Sequence, residues 1–516
     1  MKNVIKAEIV VIGAGAAGLF TALTLYPRAV TVLSEKPLGG ISASTFAQGG
    51  LAAAVGQTDD PKNHAQDTMK AAAGIADAAV VDELTAEAPN YVKVLERYGV
   101  RFERSTDGAF ALSREACHSH RRVLKALEGD GFGKELMRAL TEAVRQTPSI
   151  TFVDGVSAER LIRGKTSITG VIARKTADDS LIFFESAAIV LATGGIGGLF
   201  AATTNPLGAT GKGVAMAAHI GATLSDLEFV QFHPTALDIG EDPAPLATEA
   251  LRGEGAELVN DRGERFMVKI HEMGDLAPRD IVSRGLFAQI EAGRKTYLDC
   301  KNVEVDKFPA LLSACARKGL DPRRDLIPVM PAVHYHMGGI ATDMKGRTSI
   351  KGLWAAGEVA ATGLHGANRL ASNSLMEAII MGGRVAKDIA LTKHTSEKID
   401  LSLPHLPKTT GAKTDNAIMT VRKTMSDLVG VIRDGQGLRT ALGILSNIEK
   451  EFTNIDTKVT DMAMTGRLIA QSALAREESR GGHFRRDFPQ AEAQWQHRSF
   501  IETKPEIIPK TRERVA

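Results

Sequence analysis

The chain has 516 residues, of which 44% are hydrophobic and 24% charged, a composition typical of a globular protein with a large core. Its 63 basic and 61 acidic residues leave a formal charge of +2, which argues against a general attraction to nucleic acid or to an anionic membrane. The cysteines Cys117, Cys300 and Cys315 lack metal-ligand spacing, and no segment approaches the ~20 apolar residues of a membrane helix. These features predict a cytoplasmic protein without a bound metal.

The first predicted element is a buried strand, residues 7–12, which runs directly into a glycine-rich loop. A helix follows from Leu19, and a second strand, residues 29–33, ends near Glu35. Glycines at these spacings allow a tight turn and a close approach to a pyrophosphate, and the helix N-terminus favours its negative charge. Glu35 is placed to accept hydrogen bonds from ribose hydroxyls. The predicted dinucleotide loop consists of Gly13, Ala14, Gly15, Ala16, Ala17 and Gly18.

Three later segments favour FAD over a nicotinamide cofactor. Residues 42–50 are small or carry hydroxyls, which lets the backbone crowd against a bulky cofactor. Buried strands that end in small-residue turns return at residues 189–195 and 353–358, so the C-terminal half is expected to cover the cofactor. The predicted FAD contacts in the first segment are Ala43, Ser44, Thr45, Phe46, Ala47, Gln48, Gly49 and Gly50.

Glycine content and apolar periodicity divide the chain into regions. The glycine-rich strand ends are missing from about residues 240–330, and apolar residues recur at helical spacing over residues 418–452 and 462–476. We therefore predict an α/β FAD-binding (Rossmann-like) domain with an inserted α+β capping domain and an all-α C-terminal helical domain. The predicted boundaries are 1–238 and 335–396 for the FAD-binding domain, 239–334 for the capping domain, 397–414 for a linker with Pro404 and Pro407, and 415–516 for the helical domain.

Several motifs occur in a characteristic order at residues 44–50, 118–122, 228–235, 248–255, 278–280, 334–339, 363–375 and 476–483. Together they resemble the succinate dehydrogenase/fumarate reductase flavoprotein family over nearly the whole chain. The resemblance implies that Glu358 contacts a ribityl hydroxyl and that Ser374 and Leu375 contact the flavin ring or its ribityl side. The chain departs from the family at Lys212, where members carry an acid, so no cofactor contact follows for this lysine.

The family acts on four-carbon dicarboxylates, so the resemblance implies a site that neutralises two carboxylates. Unpaired burial of these charges is costly, and forked guanidinium groups and imidazoles are suitable partners. His336 lies outside the matched positions and is expected to be structural. The matched positions are His233, Thr248, Arg252, Arg279, His334 and Arg369.

Arg279 matches the proton-transfer residue of the family. A guanidinium has a pKa above about 12 and rarely gives up its proton, so this role needs a desolvated and strongly cationic setting. Arg252 and Arg369 are expected to supply that setting. Electrostatic clamping of the substrate is the alternative role for Arg279.

Two residues favour the branch of the family that oxidises L-aspartate. Ala43 stands where membrane-bound succinate dehydrogenases carry the histidine that tethers FAD, so the FAD should be non-covalent. Glu115 resembles the glutamate that meets the substrate ammonium in this branch, and an exposed loop acid is the alternative. The resemblance then implies that L-aspartate loses a hydride from C2 to the flavin and a proton from its nitrogen, and so becomes iminosuccinate. Oxygen, giving peroxide, or fumarate would reoxidise the flavin, and quinolinate synthase would consume the imine in de novo NAD biosynthesis.

Two other functions stay open. A soluble fumarate reductase or succinate-oxidising subunit would keep the same cationic residues. A catalytically idle FAD-binding or docking protein would not need them, so the intact set argues against it. A basic run in the helical domain, at Arg476, Arg480, Arg485, Arg486 and Arg498, could dock an acidic surface, although a solvated face is the favoured interpretation.

Overall fold

A five-stranded parallel sheet forms the centre of the fold in the computed structural model, which describes residues 4–127, 131–394, 397 and 406–505. The predicted first strand, Ile9–Ile12, is central and fully buried, as expected for a strand covered on both faces. The strands lie in the order Leu353–Ala355, Ile189–Leu191, Ile9–Ile12, Val30–Leu33 and Ile150–Val153. Helix Ala16–Thr24, which follows the glycine loop, packs against the long helix Asn373–Leu391. The C-terminal half therefore returns to the nucleotide loop, as predicted.

Two smaller sheets extend this centre, and the sequence pattern did not predict them. One has the strand order Val4–Lys6, Leu181–Glu185, Ile168–Lys175 and Val156–Arg163. The other has the order Ala360–Ala361, Gly339–Ala341, Thr223–Ser225 and Phe500–Glu502. The last of these strands comes from the predicted helical domain, so that domain also contributes to a sheet.

The inserted region is built on a four-stranded antiparallel sheet. Its two long strands, Val230–Leu237 and Ile327–His336, pair with each other and carry the chain into and out of the insertion. Strands Thr296–Asp299 and Glu257–Asn260 complete the sheet. The helices of this region are Glu249–Gly253, Arg279–Glu291 and Pro309–Ala316.

Three helices follow the insertion near the C-terminal end, Ala412–Leu428, Gly435–Phe452 and Thr457–Ala475. The first begins inside the predicted linker, because residues 412–414 are already helical; Pro404 lies outside the described residues. The prediction of a solvated basic face is wrong for Arg476 and Arg485, which are 1% and 2% exposed. Arg476 is paired with Glu228 and Glu478, so these charges lie inside the molecule and are not free to dock a partner.

The remaining described elements complete the fold. The strands are Leu51–Ala52, Leu112–Ser113 and Val123–Leu124. The α-helices are Ala43–Phe46, Pro61–Ala71, Ala78–Arg97, Phe132–Arg145 and Lys212–His219, and the 3-10 turns are Gly197–Leu199, Met267–Lys269, Gly274–Leu276, Val305–Lys307 and Ala493–Trp495. Within the described ranges, no helix combines the length and apolarity needed to cross a membrane, and no cluster of His, Cys, Asp and Glu side chains could hold a metal ion.

Candidate functional site

A cavity of about 630 Å³ runs from the glycine loop to the polar ends of the two long strands of the insertion. It brings together residues far apart in the sequence, and most of the predicted site residues lie in its wall. Gly18, Thr45 and Arg252 are predicted contacts that do not line it. The predicted residues in the wall are Gly13, Ala14, Gly15, Ala16, Ala17, Glu35, Ala43, Ser44, Phe46, Ala47, Gln48, Gly49, Gly50, Glu115, His233, Thr248, Arg279, His334, Glu358, Arg369, Ser374 and Leu375.

At one end, the glycine loop has the geometry that a dinucleotide requires. Gly13 has φ +111°, and a Cβ atom there would lie 2.2 Å from the carbonyl oxygen of Ala192. A Cβ on Gly18 would lie 2.0 Å from the Gly13 carbonyl oxygen, so Gly18 allows close packing of the helix rather than contact with the ligand. The hydroxyl of Thr193, in the cavity wall, is buried and has no hydrogen-bond partner among the described residues. The residues present thus fit the pyrophosphate half of FAD.

Glu358, in the cavity wall, is held by a backbone hydrogen bond. The His336 N–H donates to Glu358 Oε1 over 3.0 Å, and burial raises the pKa of this carboxyl to about 7. A carboxyl that is easily protonated suits a hydrogen bond with a ribityl hydroxyl. His336 donates from Nε2 to the Leu227 carbonyl oxygen over 3.0 Å, and it is buried outside the cavity wall, in keeping with a structural role.

The histidines of the polar end come from the two long strands. His233 and His334 lie with ring centroids 5.1 Å apart, and burial, reinforced by nearby arginines, lowers the pKa of both well below the usual range. The Thr235 N–H donates to Nδ1 of His233 over 3.2 Å, which leaves its Nε2 to carry the proton. Nδ1 of His334 lies 2.9 Å from the Thr204 hydroxyl. Both imidazoles are therefore neutral groups that can hydrogen-bond a carboxylate without adding charge.

Arg279 and Arg369 supply the positive charge of this end. Arg279 is the first residue of helix Arg279–Glu291, and its Nη1 lies 3.2 Å from Gln231 Oε1. Nη2 of Arg369 donates to the same oxygen over 3.0 Å. The Arg369 guanidinium also lies 4.5 Å above the ring of Tyr335, and burial lowers its pKa to about 10. Gln231 thus holds two cations side by side at the cavity wall.

Arg252 is not placed as a direct substrate contact. It lies behind the cavity wall, where its Nη2 donates to Glu249 Oε1 over 3.2 Å and its Nη1 donates to the Asp275 carbonyl. Arg279 occupies the other oxygen of Glu249. From this position Arg252 supplies a supporting positive charge to the Glu249–Arg279 pair. Thr248, the residue directly before Glu249, lines the cavity.

Glu115 is buried at 6% exposure, which excludes the alternative of an exposed loop acid. Its Oε2 accepts a hydrogen bond from the Ser372 hydroxyl over 2.8 Å. Burial, with a further contribution from the charge of Glu249, raises the pKa of Glu115. Glu115 therefore lies in the same cavity wall as the two arginines without forming an ion pair with either of them, whereas Glu249 is paired with Arg279.

Sequence reasoning did not assign four residues of this end. All of them lie inside or beside the family-like motifs. The only sequence feature that could have identified them was a polar side chain between two positions that match the family. Glu249 pairs with two arginines, Gln231 bridges two, Tyr335 stacks under one, and Ser372 holds Glu115.

Comparisons with known proteins agree with this geometry. The FAD binding domain family model matches residues 8–375, and the model of the fumarate reductase flavoprotein C-terminal region matches residues 457–512. An L-aspartate oxidase of Caulobacter vibrioides is 48% identical, with 93% of each chain covered, and one of Mesorhizobium japonicum is 46% identical, with 94% of this chain and 92% of the relative covered.

Solved structures with the same architecture include a variant of the E. coli quinol fumarate reductase subunit FrdA, with TM-score 0.86, 26% identity and 99% of each chain covered. Mycobacterium smegmatis Sdh1 has TM-score 0.85 and 29% identity, with 98% of this chain and 96% of that chain covered. The predicted fold class and the predicted FAD cofactor are confirmed by these comparisons. The predicted domain boundaries and the roles of individual residues stay predictions.

Proposed function

The chain belongs to the L-aspartate oxidase family of FAD-binding flavoproteins, and on this premise we propose that it oxidises L-aspartate to iminosuccinate with a non-covalently bound FAD. The observation that carries the proposal is the position of Glu115. It is a buried carboxylate in the cavity wall, and its only side-chain hydrogen bond among the described residues comes from the Ser372 hydroxyl, whereas Glu249 in the same wall is already paired with Arg279. A substrate with two carboxylates and one ammonium could pair with both the arginines and Glu115, whereas succinate has no ammonium to pair with Glu115.

The residues of the polar end divide the work of substrate binding. Arg369 and Arg279 neutralise the substrate carboxylates, and the neutral His233 and His334 add hydrogen bonds, with Thr248 at the same wall. FAD, when bound, supplies the hydride acceptor. The protein's part is to hold the C2–H bond of the substrate against the flavin and to exclude water while charge moves.

We propose Arg279 as the catalytic residue. Its guanidinium shares one oxygen of Glu249 through Nε and Nη2, at 2.7 and 2.6 Å. A pair this close supports two functions of Arg279: a fixed positive charge at the substrate, and transfer of a proton between the guanidinium and the carboxylate. The two short contacts hold the guanidinium in one orientation, so electrostatic clamping is the function that this geometry supports most directly.

The non-covalent mode of binding follows from Ala43, which lies in the cavity wall at the start of helix Ala43–Phe46. Its methyl group offers no atom for a bond to the flavin. We also propose that the reduced flavin is reoxidised by oxygen, giving peroxide, or by fumarate, giving succinate. Iminosuccinate would then pass to quinolinate synthase as the first product of de novo NAD biosynthesis, in the cytoplasm.

Acid precipitation of the purified protein, followed by a peroxide assay with L-aspartate in air, tests the proposal. The expected result is that all flavin leaves the precipitated protein and that peroxide forms in proportion to the aspartate consumed. Flavin that stays with the precipitate contradicts non-covalent binding. A protein that bleaches its flavin with succinate, and neither bleaches nor forms peroxide with L-aspartate, is a succinate-oxidising flavoprotein or fumarate reductase instead.

A further inference from the structure

Lys212 lies next to Glu35, the acidic residue at the nucleotide end of the cavity. Glu35 lines the cavity and Lys212 does not. Its Nζ donates to Ser157 Oγ over 2.5 Å and to Glu159 Oε1 over 3.1 Å, and it lies 3.8 Å from Glu35 Oε1. The Ser157 hydroxyl in turn donates to Glu35 Oε1. A continuous chain of hydrogen bonds thus runs from the lysine to Glu35.

This chain fixes one oxygen of Glu35 and leaves the other for a ligand. Oε1 is held by Ser157, with the charge of Lys212 behind it, while the Glu35 side chain is 54% exposed and lines the cavity. A carboxylate that accepts from both hydroxyls of a ribose needs a fixed orientation, and a flexible glutamate loses rotamer freedom when it binds. Holding Glu35 in advance reduces that loss.

The position of Lys212 is electrostatically unfavourable without its acidic neighbours. It is the first residue of helix Lys212–His219, where the N-terminal end of the helix dipole disfavours a cation. Glu159, whose side chain is 8% exposed, and Glu35 offset this effect. Removing the ammonium would leave the carboxylates of Glu35 and Glu159 without the cation that lies close to both, and their repulsion would push the more exposed partner, Glu35, away from its present place.

We propose that Lys212 is a positioning residue for the adenosine half of FAD, acting through Ser157 on Glu35. The inference rests on the proposed FAD site. It accounts for a lysine at a position where the family resemblance leads one to expect an acid. In this proposal Lys212 does not contact FAD itself and acts on the cofactor only through Glu35.

Titration of flavin-free protein with FAD, followed by the quenching of flavin fluorescence, measures this effect without reference to turnover. Lys212→Met should raise the Kd for FAD about tenfold, the size expected from losing one charge-assisted hydrogen bond. Lys212→Arg, which keeps the charge, should restore most of the affinity. Lys93→Met, the same change at an exposed lysine of helix Ala78–Arg97, should leave the Kd unchanged.

Repeating Lys212→Met in a Glu35→Gln background decides whether the lysine acts through Glu35. The expected effect there is less than about twofold, because the carboxylate that the lysine orients is gone. An unchanged Kd in the single variant, or an equal loss in both backgrounds, overturns the inference. Ser157→Ala gives a second route if Lys212→Met does not fold: it should also weaken FAD binding, and an unaltered Kd contradicts the relay. Wild-type protein that binds no FAD overturns the proposed function as well, which separates the two failures.

Discussion

Arg279 and Glu249 form a buried ion pair in which two guanidinium nitrogens, Nε and Nη2, approach the same carboxylate oxygen at 2.7 and 2.6 Å. Arg252 donates to the second oxygen of this carboxylate over 3.2 Å. One buried negative charge is thus shared by two buried positive charges, so this group carries a net positive charge toward the cavity. That surplus is available to a substrate carboxylate and is expected to attract dianions to this end of the cavity.

Arg279→Leu should lower kcat/KM for L-aspartate by about 10²–10³-fold or more, because a preorganised positive charge at the substrate is lost. FAD content should stay near that of the wild type, since Arg279 lies at the polar end and not at the glycine loop. Steady-state peroxide formation and the flavin absorbance of the purified protein measure the two effects. Arg317→Leu, at an exposed arginine paired with Glu241, is the matched control. Turnover that survives Arg279→Leu would remove Arg279 from the catalytic machinery.

Glu249→Gln should destabilise the protein as well as slow it. The substitution leaves Arg252 and Arg279 buried with like charges and no carboxylate between them, and breaking a buried ion pair in this way costs about 3–5 kcal/mol. A clear drop in Tm is expected in thermal unfolding, together with a lower kcat. Glu257→Gln, at a partly exposed acid paired with Arg265, should change Tm little. Equal Tm values for the two variants would mean that the buried pair adds no stability.

The affinity for L-aspartate should depend on pH through Glu115. Burial raises the pKa of this carboxyl, so in the free site it is protonated up to a higher pH than an exposed glutamate. As the pH rises through that pKa, the carboxylate forms and can pair with the ammonium, so the Kd of L-aspartate falls. The Kd of succinate, which has no ammonium, should rise over the same range.

Flavin spectral titrations at a series of pH values measure both affinities. Glu115→Gln should flatten the two opposite trends and reduce the preference for L-aspartate over succinate. Asp107→Asn, in an exposed loop, should leave both trends in place. Opposite trends that persist in Glu115→Gln would show that another group recognises the ammonium.

The parts of the site that the sequence predicted are those decided locally. Gly13 and Glu35 belong to one strand–loop–helix–strand unit, in which the spacing alone positions each group. Gln231 and Tyr335 differ, because their roles arise only when strands Val230–Leu237 and Ile327–His336 pair across nearly a hundred intervening residues. The exact register of that pairing includes bulges beside Gln231 and His233, which no local pattern specifies.

Arg252 shows a signal that was present in the sequence. Glu249 and Arg252 are three residues apart at the start of a predicted motif, and on a helix this spacing puts the two side chains on one face. Glu249 therefore competes with the substrate carboxylates for Arg252. If the motif forms a helix, its spacing predicts that Arg252 pairs with Glu249 and supports it from behind the cavity wall. If its residues were independent ligands, no such pairing would be expected.

Gly13→Ala tests whether the close approach at the nucleotide loop limits FAD binding. Gly13 combines φ +111° with a Cβ position 2.2 Å from the Ala192 carbonyl oxygen, and strand Ile189–Leu191, just before that oxygen, is paired with Ile9–Ile12. Neither partner can move without disrupting the central sheet, so loss of FAD and a lower Tm are expected. Gly99→Ala separates the two causes, because Gly99 has φ +85° with open space where a Cβ would lie. That control should show only the backbone cost of about 1–2 kcal/mol and normal FAD content. If the two variants lose Tm equally and both retain FAD, the contact with Ala192 is not what requires glycine at position 13.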